Sequence, residues 1–114
     1  MSSVRIEKIN ELLQQEISDL LHRYVKDPRL EAFITVTEVR TASDLKNAQI
    51  YVSILEDEEA RKEALRGLES AKGFIRRELA TRLNLRYVPH LTFHLDTSME
   101  RAARLIDIMN KKEF

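Results

Sequence analysis

The chain has 114 residues, 19 Lys and Arg balanced by 19 Asp and Glu, and no cysteine. That length fits one compact domain, residues 1–114, with a real core, and is short for a two-domain enzyme. Without cysteine there is no disulfide framework, thiolate metal site or thiol chemistry. No apolar run approaches the roughly 18 residues of a membrane span, and Met1-Ser2-Ser3-Val4-Arg5 leads into charged helix rather than a signal core, so the expected compartment is the cytoplasm.

Ile6, Ile9, Leu13, Ile17, Leu20 and Tyr24 recur in steps of three and four, which predicts an amphipathic helix over 4–24. A loop follows at Val25-Lys26-Asp27-Pro28-Arg29-Leu30, because proline lacks an amide hydrogen and pushes Asp27 out of helical geometry. Two strands come next: the β-branched run Phe33 to Arg40, and Ala48, Ile50, Val52 and Ile54 alternating with Gln49, Tyr51 and Ser53. A polar turn over 41–46 makes them a hairpin. The acidic run Glu56-Asp57-Glu58-Glu59 is placed where a helix would start, since carboxylates are favoured at its positive end.

From Glu58 to Leu85 the pattern is helical, with Leu65, Leu68, Ala71, Ile75, Leu79 and Leu83 on one stripe. The only two glycines of the chain, Gly67 and Gly73, both fall in this stretch. Interior glycine is unfavourable by roughly 1 kcal/mol relative to alanine, so a kink near Ser70-Ala71-Lys72-Gly73 between two helices is expected. Leu91, Phe93 and Leu95 alternate with Thr92, His94 and Asp96 in a third strand opened by Pro89. Asp96-Thr97-Ser98 then caps a last helix carrying Ala102, Leu105, Ile106 and Met109. The expected fold is a two-layer α+β domain, order α-β-β-α-(kink)-α-β-α, with a three-stranded sheet and helices packed on one face. Ile50, Val52, Leu91 and Phe93 should face those helices, leaving Gln49, Tyr51, Thr92 and His94 wet.

Charge is unevenly spread. Residues 31–60 carry two basic and seven acidic groups, and residues 61–90 carry eight basic and three acidic ones. A dipolar protein can offer a basic face to phosphate while its net charge stays at zero. Arg61, Lys62, Arg66, Lys72, Arg76, Arg77, Arg82 and Arg86 make up that group, and a solvated helix face is its plainest alternative. Arginine outnumbers lysine six to two, which favours phosphate, because guanidinium forks bind its oxygens bidentately. A helix starting near Gly73 would also aim free amides at one phosphate.

No catalytic residue, metal site or cofactor is expected. The chain has no P-loop, dinucleotide fingerprint or Gly-x-Ser-x-Gly turn, and no carboxylate pair in a suitable pocket. His90 and His94 share a strand face with Asp96, but four residues of extended chain separate them by roughly 13 Å, too far for one ion.

The order α-β-β-α-α-β is that of a type II KH domain, in which a Gly-x-x-Gly loop between two helices clamps the nucleic-acid backbone. Here the join reads Ser70-Ala71-Lys72-Gly73, with only the last glycine. With this Ala-x-Gly join the chain resembles the bacterial ribosome-binding factor A family. The matching stretches are Val25 to Leu30, Ile34 to Val39, Asp44-Leu45, Ala48 to Ser53, Ala71 to Arg76, Leu83 to Pro89, Leu91 to Phe93 and Asp96. The resemblance implies a non-enzymatic factor that binds the immature 30S subunit and 16S rRNA, assists late maturation and rRNA processing, and matters most in the cold. It also implies release with a ribosome-associated GTPase. The protein is expected to be a monomer without membrane attachment. Many relatives carry a charged tail after the last helix, which this sequence does not show.

The RNA-contacting residues expected are Lys72, Arg76, Arg77, Arg82 and Arg86, with Ala71 and Gly73 at the kink and Lys26 and Arg29 from the Asp-Pro loop. A Cβ at Ser70 or Ala71 obstructs close backbone approach, so shape and phosphate recognition of structured RNA is expected rather than reading of four splayed bases. The alternative is a KH-like protein-interaction module without RNA binding, using an edge strand. A binder of free single strands is poorly supplied with exposed aromatics.

Overall fold

The computed structural model describes residues 4–30 and 34–111; Phe33 and Phe114 lie outside them. Helix α1 spans Val4–Arg23, and a single 3-10 turn, Pro28–Leu30, follows it. Strands β1 (Ile34–Thr41) and β2 (Asn47–Ile54) form the hairpin, α2 spans Glu58–Leu83, β3 spans His90–Leu95 and α3 spans Ser98–Lys111. The sheet order is β1-β2-β3, with β1 antiparallel and β3 parallel to the central strand. The result is a two-layer α+β domain of order α-β-β-α-β-α.

The expected break in the long helix is absent. α2 is continuous from Glu58 to Leu83, and neither glycine has a positive φ. Ala64, Leu68, Ala71, Ile75 and Leu79 are all buried along one face. Burying a leucine or isoleucine is worth about 1.5–3 kcal/mol, so this stripe outweighs two interior glycines. The acidic run opens α2 as expected: Asp57 is its N-cap, accepting from the Ala60 amide at 2.9 Å. Asn84 closes it in the left-handed conformation, φ 49°.

Leu13, Ile17 and Leu20 of α1 and the α2 stripe meet Val36, Val39, Ile50, Val52 and Leu91 in one core. α1 also lends polar side chains to the main chain of edge strand β1. Gln14 donates to the Val36 carbonyl at 3.0 Å, His22 Nε2 donates to Ile34 O at 2.9 Å, and the Thr41 amide donates to Asn10 Oδ1 at 3.0 Å. On the opposite face Tyr51 and His94 stack, centroids 5.2 Å apart, and both are only half-buried.

β1 carries a bulge between Val36 and Glu38, where Thr37 is the extra residue. Its hydroxyl donates to Asp96 Oδ2 at 2.6 Å, and Asp96 Oδ1 accepts from the Ser98 amide at 2.9 Å, which starts α3. The Thr37 hydroxyl and these Ser98 contacts pull the Asp96 carboxyl down to about 2.

α3 forms where the sequence predicts but does not pack as an amphipathic helix would. Leu105, Ile106 and Met109 are each 59 % exposed, and no residue of α3 is buried. α1 and α2 already cover Ile50, Val52 and Ile54, which leaves no apolar sheet surface for a third helix. Beyond the Asp96 cap, the Arg61–Glu100 ion pair ties α3 to α2.

Candidate nucleic-acid interface

The expected basic residues sort into two groups once their partners are known. Arg82 lies between Glu16 (2.8 Å) and Asp19 (2.7 Å) of α1, with its guanidinium 5.0 Å from the Tyr24 ring. Arg82 hydrogen bonding lowers the Asp19 pKa, and the two carboxylates raise that of Arg82. This arginine ties α2 to α1. Arg29 is chelated by Asp27, Nε to Oδ1 at 3.0 Å and Nη2 to Oδ2 at 2.6 Å, and also donates to Ser70 Oγ at 3.3 Å. Lys72 pairs with Glu69 one turn back. Among the described residues Arg76 faces no carboxylate within ion-pair distance, but it donates to Pro89 O (3.1 Å) and Val88 O (2.9 Å), fixing the loop into β3.

Lys26, Arg77 and Arg86 form no ion pair among the described residues, and all three are exposed. Lys26 sits apart, on the loop after α1. Ala71, expected with Gly73 at the RNA-contacting kink, is 8 % exposed and belongs to the core, because it continues the apolar stripe of α2.

The two glycines serve different ends. A Cβ on buried Gly67 would lie 3.0 Å from Leu30 Cδ2 and 3.2 Å from Arg29 Cβ, so this glycine lets the Asp-Pro-Arg-Leu turn press against α2. Gly73 is exposed, and a Cβ there would meet only Arg77 Nη1, at 3.6 Å. Among the described residues no contact demands a glycine there.

Arg76, Arg77 and Arg86 line a groove of about 830 Å³ at the end of α2, to which Arg5 of α1 and Lys46 of the hairpin turn also contribute. Sequence reasoning missed Arg5 and Lys46. Arg5 lies on α1 and Lys46 in the hairpin turn, both outside the basic stretch 61–90, and only the packing of α1 and the hairpin beside α2 gathers them. The hairpin turn holds Leu45 at φ 62°, the left-handed region that a branched side chain rarely adopts, with the Lys46 amide bonded to Asp44 Oδ1 at 3.0 Å. Tyr87 stands at the groove, 76 % exposed, with the Arg86 guanidinium 5.6 Å from its ring centroid. An arrangement of this kind can bind anions and stack on a planar group.

The ribosome-binding factor A family model matches residues 5–109. The chain belongs to the ribosome-binding factor A family. It is 47 % identical over 107 residues to ribosome-binding factor A of Acetivibrio thermocellus, covering 94 % of this chain and 87 % of that one. The solution structure of a Thermotoga maritima protein described as a putative ribosome-binding factor A superposes with a TM-score of 0.73 at 33 % identity, over 82 % of this chain and 89 % of the other. The Thermus thermophilus ribosome-binding factor A coordinates fitted into an electron cryo-microscopy map of a 30S complex give 0.60 at 30 % identity, over 85 % and 97 %. Among the described residues no helix is long and apolar enough to cross a membrane.

Proposed function

We propose that this protein binds the free 30S subunit through 16S rRNA and assists its late maturation in the cytoplasm, without catalysing a reaction. Family membership and the 30S complex of the Thermus relative support the ribosomal partner. The observation that carries RNA binding is the convergence of Arg5, Lys46, Arg77 and Arg86, none in an ion pair among the described residues, on one groove, with exposed Gly73 one helical turn before Arg77. Cations that are already paired gain little from phosphate, whereas unpaired ones exchange solvent counterions for it. Arg77 and Arg86 are the principal phosphate contacts, with Arg5 and Lys46 beside them and Lys26 at a distance. Arg76, Arg82 and Arg29 shape the surface from behind. Binding favours one conformation of the unfinished subunit, which requires only differential affinity.

Co-sedimentation with purified small subunits, large subunits and assembled ribosomes tests this reading. Retention on small subunits alone, weakening with salt, is expected. The double substitution Arg77→Ala and Arg86→Ala should reduce retention and flatten the salt dependence by about two phosphate equivalents. Retention that is insensitive to both salt and the double substitution would refute RNA binding through the groove.

A further inference from the structure

We propose that the groove at the end of α2 receives one unpaired RNA nucleotide, its base against the Tyr87 ring and its phosphates on the rim cations. This rests on the RNA-binding reading above and departs from the phosphate-only recognition expected from sequence.

A site for phosphates alone needs cations and nothing apolar. Here Leu45, Ala80, Leu85 and Val88 line the same groove as Arg5, Lys46, Arg77 and Arg86. An apolar floor ringed by unpaired positive charge complements a nucleotide, whose base is a flat, weakly polar ring and whose phosphate is an anion. Tyr87 is the most exposed aromatic among the described large hydrophobic residues, at 76 %. Arg86 lies over the ring, 5.6 Å from its centroid, so a planar cation already occupies the face on which a base would stack, and the displaced guanidinium is within reach of that nucleotide's phosphate.

Two further features fit a built site. Leu45 is the one described residue with a branched apolar side chain and a left-handed backbone, and it lines this groove. Such strain survives where the surrounding structure holds it, and it collects at ligand sites. Arg76 spends its hydrogen bonds on the carbonyls of Val88 and Pro89, directly after Tyr87, and is the positioning residue for the aromatic platform. The single carboxylate in the lining, Asp44, accepts from the Lys46 amide. Paired RNA keeps its bases stacked inside the helix, so only a bulged, looped or terminal nucleotide can reach such a floor.

Two RNA hairpins, identical except that one carries a single unpaired 2-aminopurine and the other is fully paired, test the proposal. Affinity is read by anisotropy of an end label, and stacking by 2-aminopurine fluorescence. The wild-type protein should bind the unpaired hairpin about tenfold more tightly and quench its fluorescence, in line with the usual worth of one base on one aromatic ring. Tyr87→Leu should remove both the preference and the quenching, and Tyr87→Phe should keep them; because the side chain is exposed, neither variant should alter the melting temperature. Equal affinity for the two hairpins, or a preference that survives in Tyr87→Leu, overturns the nucleotide pocket. Salt-sensitive retention on small subunits that depends on Arg77 and Arg86 reads the parent proposal separately. It would survive failure of the pocket.

Discussion

Replacing Gly73 with alanine should raise the stability of the free protein and weaken its binding to small subunits. Gly73 lies inside the continuous helix α2, where alanine is favoured over glycine by about 1 kcal/mol. The new Cβ would sit 3.6 Å from Arg77 Nη1, an ordinary contact with the end of a mobile side chain, so no steric cost opposes that gain. For a domain of this size the gain corresponds to roughly 4 °C in melting temperature. Gly67→Ala provides the contrast. It has the same propensity gain, but its Cβ would meet Leu30 Cδ2 at 3.0 Å and Arg29 Cβ at 3.2 Å. Leu30 can give way at its tip, whereas the Arg29 Cβ is fixed to the backbone of a turn that Asp27 holds in place. Overpacking of this kind costs about 1–3 kcal/mol, so Gly67→Ala should be destabilising by up to about 2 kcal/mol. Thermal and urea unfolding of the two variants beside the wild type measures both. A Gly73→Ala variant less stable than wild type would refute the continuous-helix account. Higher stability with undiminished small-subunit binding would remove Gly73 from the interface.

Arg82→Ala should lower the melting temperature, because it frees Glu16 and Asp19 of their shared partner, while leaving RNA affinity unchanged; reduced affinity at an unchanged melting temperature would show it to be a contact instead. Asp96 gives the fold a pH dependence of defined sign. Its carboxyl titrates near 3.9 when unfolded and is held at about 2 in the fold, so its contribution is complete above about pH 4 and is lost as pH falls through about 2. Asp96→Ala should therefore lower stability at pH 7 and show a shallower decline between about pH 4 and pH 2 than wild type. Equal slopes in urea titrations across that window would refute the assignment.

The sequence alone determined the elements. Apolar spacings of three, four and two residues are local consequences of helix and strand geometry, and Asp57, Pro28 and Asp96 mark boundaries through chemistry that acts within a few residues. That sufficed for the α+β order and the basic character of α2. Only the tertiary structure decided which charges are available. Arg82 and Arg77 are alike in sequence, and what separates them is that α1 brings Glu16 and Asp19 to one, whereas no carboxylate among the described residues pairs with the other. The helix break failed for the same reason, since glycine propensity is local while the stripe that overrides it is stabilised by contact with the sheet. The exposed face of α3 likewise depends on a competition between helices for one sheet face. The groove unites α1, the hairpin turn, α2 and the loop into β3, and no spacing along the chain records that meeting.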